Sequence, residues 1–160
     1  MALEDPLIAT IDRTWFGAGL TLETSAKLAA IAHAYEAPPD TVLLREGDDT
    51  RELGLVVRGR VSLTSAVPGH GPISLVTVET GDVFGWSVLV PPFRATSSAR
   101  AVDRVSVVAF DGPRLRAAVR SDAALAAAVY QQLLEAVARR LIATRHQLFD
   151  LYRLDAHEPW

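Results

Sequence analysis

The N-terminal part of the chain has a helical pattern of apolar residues that ends at a pair of prolines. Four apolar residues recur at helical spacing: Leu22, Ala26, Ala29 and Ala30. Thr21 can cap the helix that they define. Proline disfavours helix at its own position and at the residue before it, so Pro38-Pro39 closes this zone. The pattern predicts an N-terminal helical segment over residues 6–40, with helix from about Pro6 to Tyr35.

The next seventy residues change to short runs of β-branched and apolar residues separated by glycine turns. The runs are Thr41–Leu44, Leu53–Val57, Arg60–Ala66, Ile73–Val78 and Arg104–Phe110. Gly59 lies between two of them and predicts a hairpin, because glycine adopts positive φ at little cost. Many short strands with glycine turns are typical of an all-β sandwich or barrel, here over residues 41–111.

The pattern returns to helix over residues 112–154, leaving 155–160 as a tail. A short helix is predicted from Pro113 to Val119, and a long one begins at Ser121 or Asp122. Along the long helix, one set of residues is spaced alternately by four and three: Tyr130, Leu134, Val137, Leu141, Thr144, Leu148 and Leu151. We call this set the seam.

Seven-residue repeats of this kind are typical of helices that pair with other helices, so the seam predicts a homodimer. The alternative is that the stripe packs on the β-domain of its own chain. Val129 and Leu133 could pack there while the seam pairs two chains.

The composition limits the classes of protein to which this chain can belong. The 160 residues, 49% of them hydrophobic, suffice for a single domain over 1–160. A formal net charge of -3 argues against a protein dedicated to nucleic acid. The absence of cysteine removes disulfides and thiolate metal sites. No apolar run reaches membrane-spanning length and no signal peptide is evident, so we expect a cytoplasmic protein without a membrane partner.

Several motifs, in order, resemble the cyclic nucleotide-binding domain family. They are Leu44–Asp48, Leu53–Leu63, Thr80–Gly85 and Ala101–Asp111, together with Gly85-Trp86-Ser87, Pro91-Pro92-Phe93 and Ala143–Tyr152. The resemblance is to stand-alone bacterial versions of the domain. It implies a mainly β fold with flanking helices: a double-stranded β-helix, or jelly-roll barrel, with N-terminal helices and a long C-terminal helix. It also implies a phosphate-binding cassette over residues 81–98 and a cyclic nucleotide, cAMP or cGMP, as ligand.

The resemblance gives a set of candidate ligand contacts: Phe84, Gly85, Trp86, Ser87, Val88, Arg94, Ala95 and Thr96. The family places a glutamate for the ribose hydroxyl where this chain has Trp86. An indole donates one hydrogen bond and accepts none, so we expect Trp86 to fill the sugar pocket instead. Arg94 precedes Ala101 by seven residues, whereas the family arginine precedes its alanine by six. A bulge or a shortened cassette would bring Arg94 to the ligand; otherwise it is a solvated turn residue.

Two functions fit these features. The first is a regulatory sensor that binds a small anionic ligand and signals through its C-terminal helix. The alternative is a dimerisation or protein-interaction module that has lost the nucleotide and works through the seam and Trp160 with an unknown protein partner. The sequence contains no catalytic constellation, and its four histidines lack metal-ligand spacing, so we expect neither an enzyme nor a metal site.

Direct DNA binding is not expected either. The eight residues after Tyr152 leave no room for a recognition helix. A small basic cluster on the long helix is predicted to be a solvated face, since Glu135 lies one turn before its first member. The cluster consists of Arg139, Arg140 and Arg145.

Overall fold

The computed structural model describes residues 5–155, with side chains to residue 153, and folds them around two antiparallel β-sheets. Short helices precede the sheets and two helices follow them. The eight strands are β1 Ala32–Ala37, β2 Val42–Leu44, β3 Glu52–Arg58, β4 Val61–Val67, β5 Gly71–Val78, β6 Val83–Phe84, β7 Ser98–Ala101 and β8 Val105–Asp111. The prediction of a hairpin around Gly59 was wrong. Gly59, with φ of 84°, does form the turn between β3 and β4, but β3 pairs with β6 and β8 while β4 pairs with β5 and β7 in the other sheet.

The strands are exchanged between the two sheets in a jelly-roll order. One sheet has the order β1-β8-β3-β6 and the other β2-β7-β4-β5, so strands that follow one another in sequence often lie in different sheets. The predicted fold class, a mainly β jelly roll with flanking helices, is confirmed.

Strand β8 separates two apolar cores. Val105, Val107 and Ala109 face the core between the sheets, whereas Val108 and Phe110 face the core under the helices. Because side chains alternate across a strand, a strand that is buried on both faces reads as a continuous apolar run. The second core extends to the long C-terminal helix, which packs on the same side of the sheet.

The positions of the helices differ from the sequence prediction at one boundary, the end of the N-terminal helical segment. The helices are α1 Pro6–Asp12, α2 Trp15–Ala18, α3 Leu22–Ala29, α4 Gly112–Ser121 and α5 Ala123–Asp155. The prediction of helix to Tyr35 was wrong from Ala32 onward, because Ala32–Ala37 forms β1 and pairs antiparallel with β8. The alanines of this segment favour helix, but pairing with a buried strand outweighs that local preference. Tail residues 156–160, including Trp160, lie outside the described residues.

Helix α5 packs on the body through one row of residues and exposes another. Its first turn is capped by Asp122, whose Oδ1 accepts a hydrogen bond from the Leu125 amide at 3.0 Å. The buried row is Leu125, Val129, Leu133 and Ala136. The seam leucines are exposed, with 70% of Leu134 and 68% of Leu141 accessible. Val129 and Leu133 therefore pack on the chain's own body, and pairing of the seam with a second chain stays a prediction.

A cavity beside the cassette and its link to the C-terminal helix

The cassette begins with a turn and a glycine that sequence analysis had singled out. Strand β6 leads into Gly85, which has φ of 82°, and then into the 3-10 helix Trp86–Leu89. A Cβ atom at Gly85 would lie 2.8 Å from the Glu52 carbonyl oxygen. Both the left-handed backbone and this close approach require glycine, so the start of the cassette is fixed against strand β3.

A cavity of about 660 Å³ lies between β2, the following loop and the cassette. Its apolar lining comes from Val42, Leu43, Leu44 and Phe84. The rest of its lining is polar and mostly charged: Arg45, Gly47, Asp48, Asp49, Arg51, Glu52 and Arg94. This volume lies within the range of small-molecule sites, and its mixed lining suits a ligand with one apolar and one charged part.

The loop of residues 45–51 is joined to the end of the cassette by backbone hydrogen bonds. The Gly47 amide donates to the Ala95 carbonyl at 2.8 Å, and the Ala95 amide donates to the Asp48 carbonyl at 2.9 Å. The Thr50 amide donates to the Phe93 carbonyl at 2.8 Å. The buried hydroxyl groups of Thr50 and Ser87 lie 2.7 Å apart. Loop and cassette thus form one unit around the cavity.

Arg94 reaches the cavity despite its shifted sequence position. Phe93 adopts φ of 62°, a left-handed conformation that redirects the chain just before Arg94. The irregular segment absorbs the extra residue, and Arg94 forms an isolated bridge with Asp49. Its Nη1 donates to the Gly47 carbonyl at 3.0 Å, and its Nη2 lies 3.8 Å from Asp49 Oδ1. The side chain is 62% exposed, so Arg94 both lines the cavity and meets solvent.

The other predicted ligand contacts are placed differently. Phe84 and Arg94 line the cavity, but Gly85, Trp86, Ser87, Val88, Ala95 and Thr96 do not. Val88 is fully buried in the helical core, and the Ser87 hydroxyl is bound to Thr50. Trp86, expected to fill the sugar pocket, does not line this cavity; its side chain lines an apolar groove against α5. The groove is formed with Leu89, Val90, Tyr130, Leu133, Leu134 and Val137.

Helix α5 is also fixed to the turn before the cassette by two arginines. Arg140 Nη2 lies 3.4 Å from Asp82 Oδ2 and donates to the Val83 carbonyl oxygen. Arg139 Nη2 lies 3.5 Å from Asp82 Oδ1, and its guanidinium carbon stands 3.8 Å from the centroid of the Trp15 ring. We call these contacts the Asp82 clamp. They join the helix that carries the seam to the strand that enters the cassette.

The clamp corrects the interpretation of the basic cluster as a solvated face. Arg145 is exposed, but the Arg140 side chain is only 12% exposed, and its Nη1 is buried without a hydrogen-bond partner among the described residues. Burial lowers the pKa of Arg140, while the Asp82 carboxylate opposes that shift. The signal that sequence analysis missed is the spacing: Arg140 follows Ala136 by four residues and continues the buried row of α5.

Glu52, at the start of β3, lines the cavity and also lies close to polar side chains of β1. Its Oε2 lies 3.6 Å from His33 Nε2, and the rings of His33 and Tyr35 are stacked at 6.0 Å between centroids. Burial, and secondarily the nearby Glu52 carboxylate, raises the pKa of Tyr35.

Two further observations concern residues 5–155. No group of three or more histidine, aspartate or glutamate side chains in that range is arranged to hold a metal ion. Within the same described part, none of the helices combines the length and apolar character that crossing a membrane requires.

Comparisons with known proteins agree with this architecture. The CRP-like cAMP-activated global transcriptional regulator of Mycobacterium tuberculosis is 28% identical over 137 residues, which cover 86% of this chain and 59% of the regulator. The chain therefore spans less than two thirds of that relative.

Two solved structures are similar in both sequence and fold. A protein from Geobacter metallireducens GS-15, assigned to the cyclic nucleotide-binding proteins, is 32% identical with a TM-score of 0.72; the match covers 80% of this chain and 92% of that one. The N-terminal domain of a transcriptional regulator from Streptomyces coelicolor A3(2) is 27% identical with a TM-score of 0.64, covering 87% and 94%. The family model for the cyclic nucleotide-binding domain matches residues 35–122, more than half of the sequence. The chain is a member of the cyclic nucleotide-binding domain family.

Proposed function

We propose that this chain is a regulatory module that binds a small anionic ligand, a cyclic nucleotide or a variant of one, in the cavity beside the cassette. The relative from Mycobacterium tuberculosis is a cAMP-activated regulator by its description, and this supports the same class of ligand here. In the proposed mechanism, occupancy of the cavity changes the position of helix α5, which carries the signal to a partner.

The observation that carries the proposal is the position of the cavity between the loop 45–51 and the cassette. Phe84, which lines the cavity, belongs to strand β6. Its neighbour in that strand, Val83, accepts a hydrogen bond from Arg140 of α5. A ligand that moves Phe84 would therefore disturb the Asp82 clamp. Such coupling needs a ligand whose affinity differs between two positions of the helix.

A thermal-shift titration with cAMP, cGMP and cyclic di-GMP tests the proposal. A ligand present at 100 times its dissociation constant stabilises the native state by about 2.7 kcal/mol. For a chain of this length that corresponds to a rise in Tm on the order of 5–10 °C. A rise with one of the nucleotides is the expected result, and no change at millimolar concentration with any of them would contradict the proposal.

The second candidate function is a dimerisation module without a nucleotide. Two observations favour it: Trp86 lies against α5 rather than in the cavity, and the seam residues Leu134, Leu141 and Leu148 are exposed. Under this proposal the chain forms dimers whether or not a nucleotide is present. The thermal-shift titration with nucleotides separates the two functions, because only the sensor binds a nucleotide.

A further inference from the structure

The charged side chains that line the cavity are balanced in number. They are the arginines Arg45, Arg51 and Arg94 and the carboxylates Asp48, Asp49 and Glu52. An anion that enters such a cavity is attracted by the arginines and repelled by the carboxylates, so its affinity depends on which carboxylate lies next to the arginine that it contacts. Of these arginines, Arg94 alone has a carboxylate within 4.0 Å in the part of the chain that the structure describes, and that carboxylate is Asp49.

Asp49 and Arg94 lie directly opposite each other where the loop pairs with the end of the cassette. The two residues form an isolated antiparallel bridge. Backbone hydrogen bonds of 2.8 to 2.9 Å join residues 47–50 to residues 93–95 on both sides of this bridge. Side chains of directly opposed residues share one face of such a pairing and come close to each other. The backbone therefore holds the Asp49 carboxylate beside the Arg94 guanidinium.

The loop engages both terminal nitrogens of the Arg94 side chain. Nη2 lies 3.8 Å from Asp49 Oδ1, and Nη1 donates a hydrogen bond to the Gly47 carbonyl at 3.0 Å. The side chains of Arg94 and Asp49 are 62% and 72% exposed, so their ion pair is weak and salt screens it. A weak internal pair of this kind lowers the affinity for an incoming anion without closing the cavity to it.

We propose that Asp49 is a specificity-determining residue of this cavity. Its carboxylate competes with a ligand phosphate for Arg94 and repels that phosphate more strongly as the charge of the ligand rises. A cyclic phosphodiester carries one negative charge, whereas a phosphate monoester carries about −1.5 to −2 near pH 7. Asp49 therefore disfavours open nucleoside monophosphates more than cyclic nucleotides. The inference rests on the proposed function for the presence of a phosphate-bearing ligand in this cavity.

The test is isothermal titration calorimetry on the full chain at low and at high salt, with cAMP, cGMP, AMP and inorganic phosphate as probes. Asp49→Asn removes the charge but keeps the size of the side chain, and none of the backbone hydrogen bonds between loop and cassette uses that side chain. Asp48→Asn is the matched control, because Asp48 lines the same cavity but has no arginine within 4.0 Å among the described residues. Circular dichroism and Tm verify that each variant is folded.

The expected results follow from the distance between the charges. Two unit charges about 4 Å apart in water interact by about 1 kcal/mol, which is about a factor of five in affinity. We therefore expect Asp49→Asn to strengthen binding of cAMP or cGMP about fivefold at low salt. The gain for AMP and inorganic phosphate should be larger, about ten- to twentyfold, and every gain should shrink at high salt. Asp48→Asn should stay within about twofold of wild type.

The outcomes separate this inference from the proposed function. If cAMP or cGMP binds but Asp49→Asn gives no gain, or Asp48→Asn gives an equal one, the role of Asp49 is overturned and the sensor function stands. Equal gains for cAMP and AMP would likewise overturn the charge selectivity. If Asp49→Asn strengthens binding of AMP and inorganic phosphate but neither cyclic nucleotide binds, the role of Asp49 is supported and the cyclic nucleotide is rejected. If no probe binds the wild type or Asp49→Asn, both proposals are overturned.

Discussion

The two halves of helix α5 both carry rows of apolar residues but differ in what those residues contact. From Ala123 to Arg140, a row of residues is buried against the sheet and the N-terminal helices. From residue 141 to 153, where the described side chains end, no side chain is buried. The second half nevertheless exposes six large apolar residues: Leu141, Ile142, Leu148, Phe149, Leu151 and Tyr152.

This difference shows that an apolar repeat along a helix does not by itself reveal whether the repeat is buried against its own chain or left exposed. At 1.5 Å per residue, the 33 residues of α5 extend about 50 Å, and only its first half is buried against the rest of the chain. The Asp82 clamp lies where the packed half ends. The first half is thus part of the domain core, and the second half presents apolar surface that a partner helix would cover.

The largest expected effect comes from truncating the packed half. Leu125 is 2% exposed, so Leu125→Ala should lower the free energy of unfolding by about 2–5 kcal/mol through lost burial and a residual cavity. Leu148→Ala makes the same change in the exposed half and should cost less than about 0.5 kcal/mol in dilute, monomeric protein. Urea denaturation measures both variants. Equal losses would mean that the exposed half packs on its own chain.

The Asp82 clamp lies at the boundary between the two halves of α5, and substitutions of its two arginines test how much each stabilises the fold there. Arg140→Met keeps much of the side-chain stem but removes the ion pair and the bond to the Val83 carbonyl, so we expect a loss of about 1–3 kcal/mol. Arg139→Met is the matched control; its side chain is 51% exposed, and we expect at most about 1 kcal/mol. Thermal and urea denaturation compare the two. A larger loss for Arg139 would reverse the roles assigned to the two arginines.

The smallest effect on the fold, but a decisive one on assembly, is expected in the exposed half. Leu141→Glu places a charge in the middle of the seam, where two chains would each bury it. We expect the variant to be monomeric by light scattering while its monomer stability stays within about 0.5 kcal/mol of wild type. Arg145→Glu, off the seam on the same helix, serves as the control. A Leu141→Glu dimer as stable as the wild type would refute the seam.

Most of the fold was predictable because its signals are local. Glycine turns such as Gly59 and Gly81 mark the ends of strands, and both have positive φ in the structure. Strand β1 was missed because Ala32, Ala34 and Ala37 carry a helix preference, and only the distant partner strand β8, Val105–Asp111, makes the segment a strand. A long-range pairing of this kind leaves little trace in the local pattern.

The candidate site was predicted less well, since it depends on where the side chains of neighbouring segments meet. The structure has a left-handed glycine and a short helix where the cassette was predicted to begin, and Arg94 does line the cavity. Arg45 and Arg51 were not singled out, because nothing in their spacing shows that their loop is bonded to residues 93–95. Trp86 was assigned to the ligand pocket on a sequence match alone, whereas the 3-10 helix turns it toward α5.

The positions of two tryptophans make helix α5 directly observable by spectroscopy. The Trp86 indole borders the groove with Tyr130 and Leu133, near the middle of the packed half, and Trp15 lies under the guanidinium of Arg139 at its end. With ¹⁹F-labelled indoles, each ring would give a separate resonance. A displacement of the helix along its whole length would shift both signals, whereas release of the clamp alone would shift only that of Trp15.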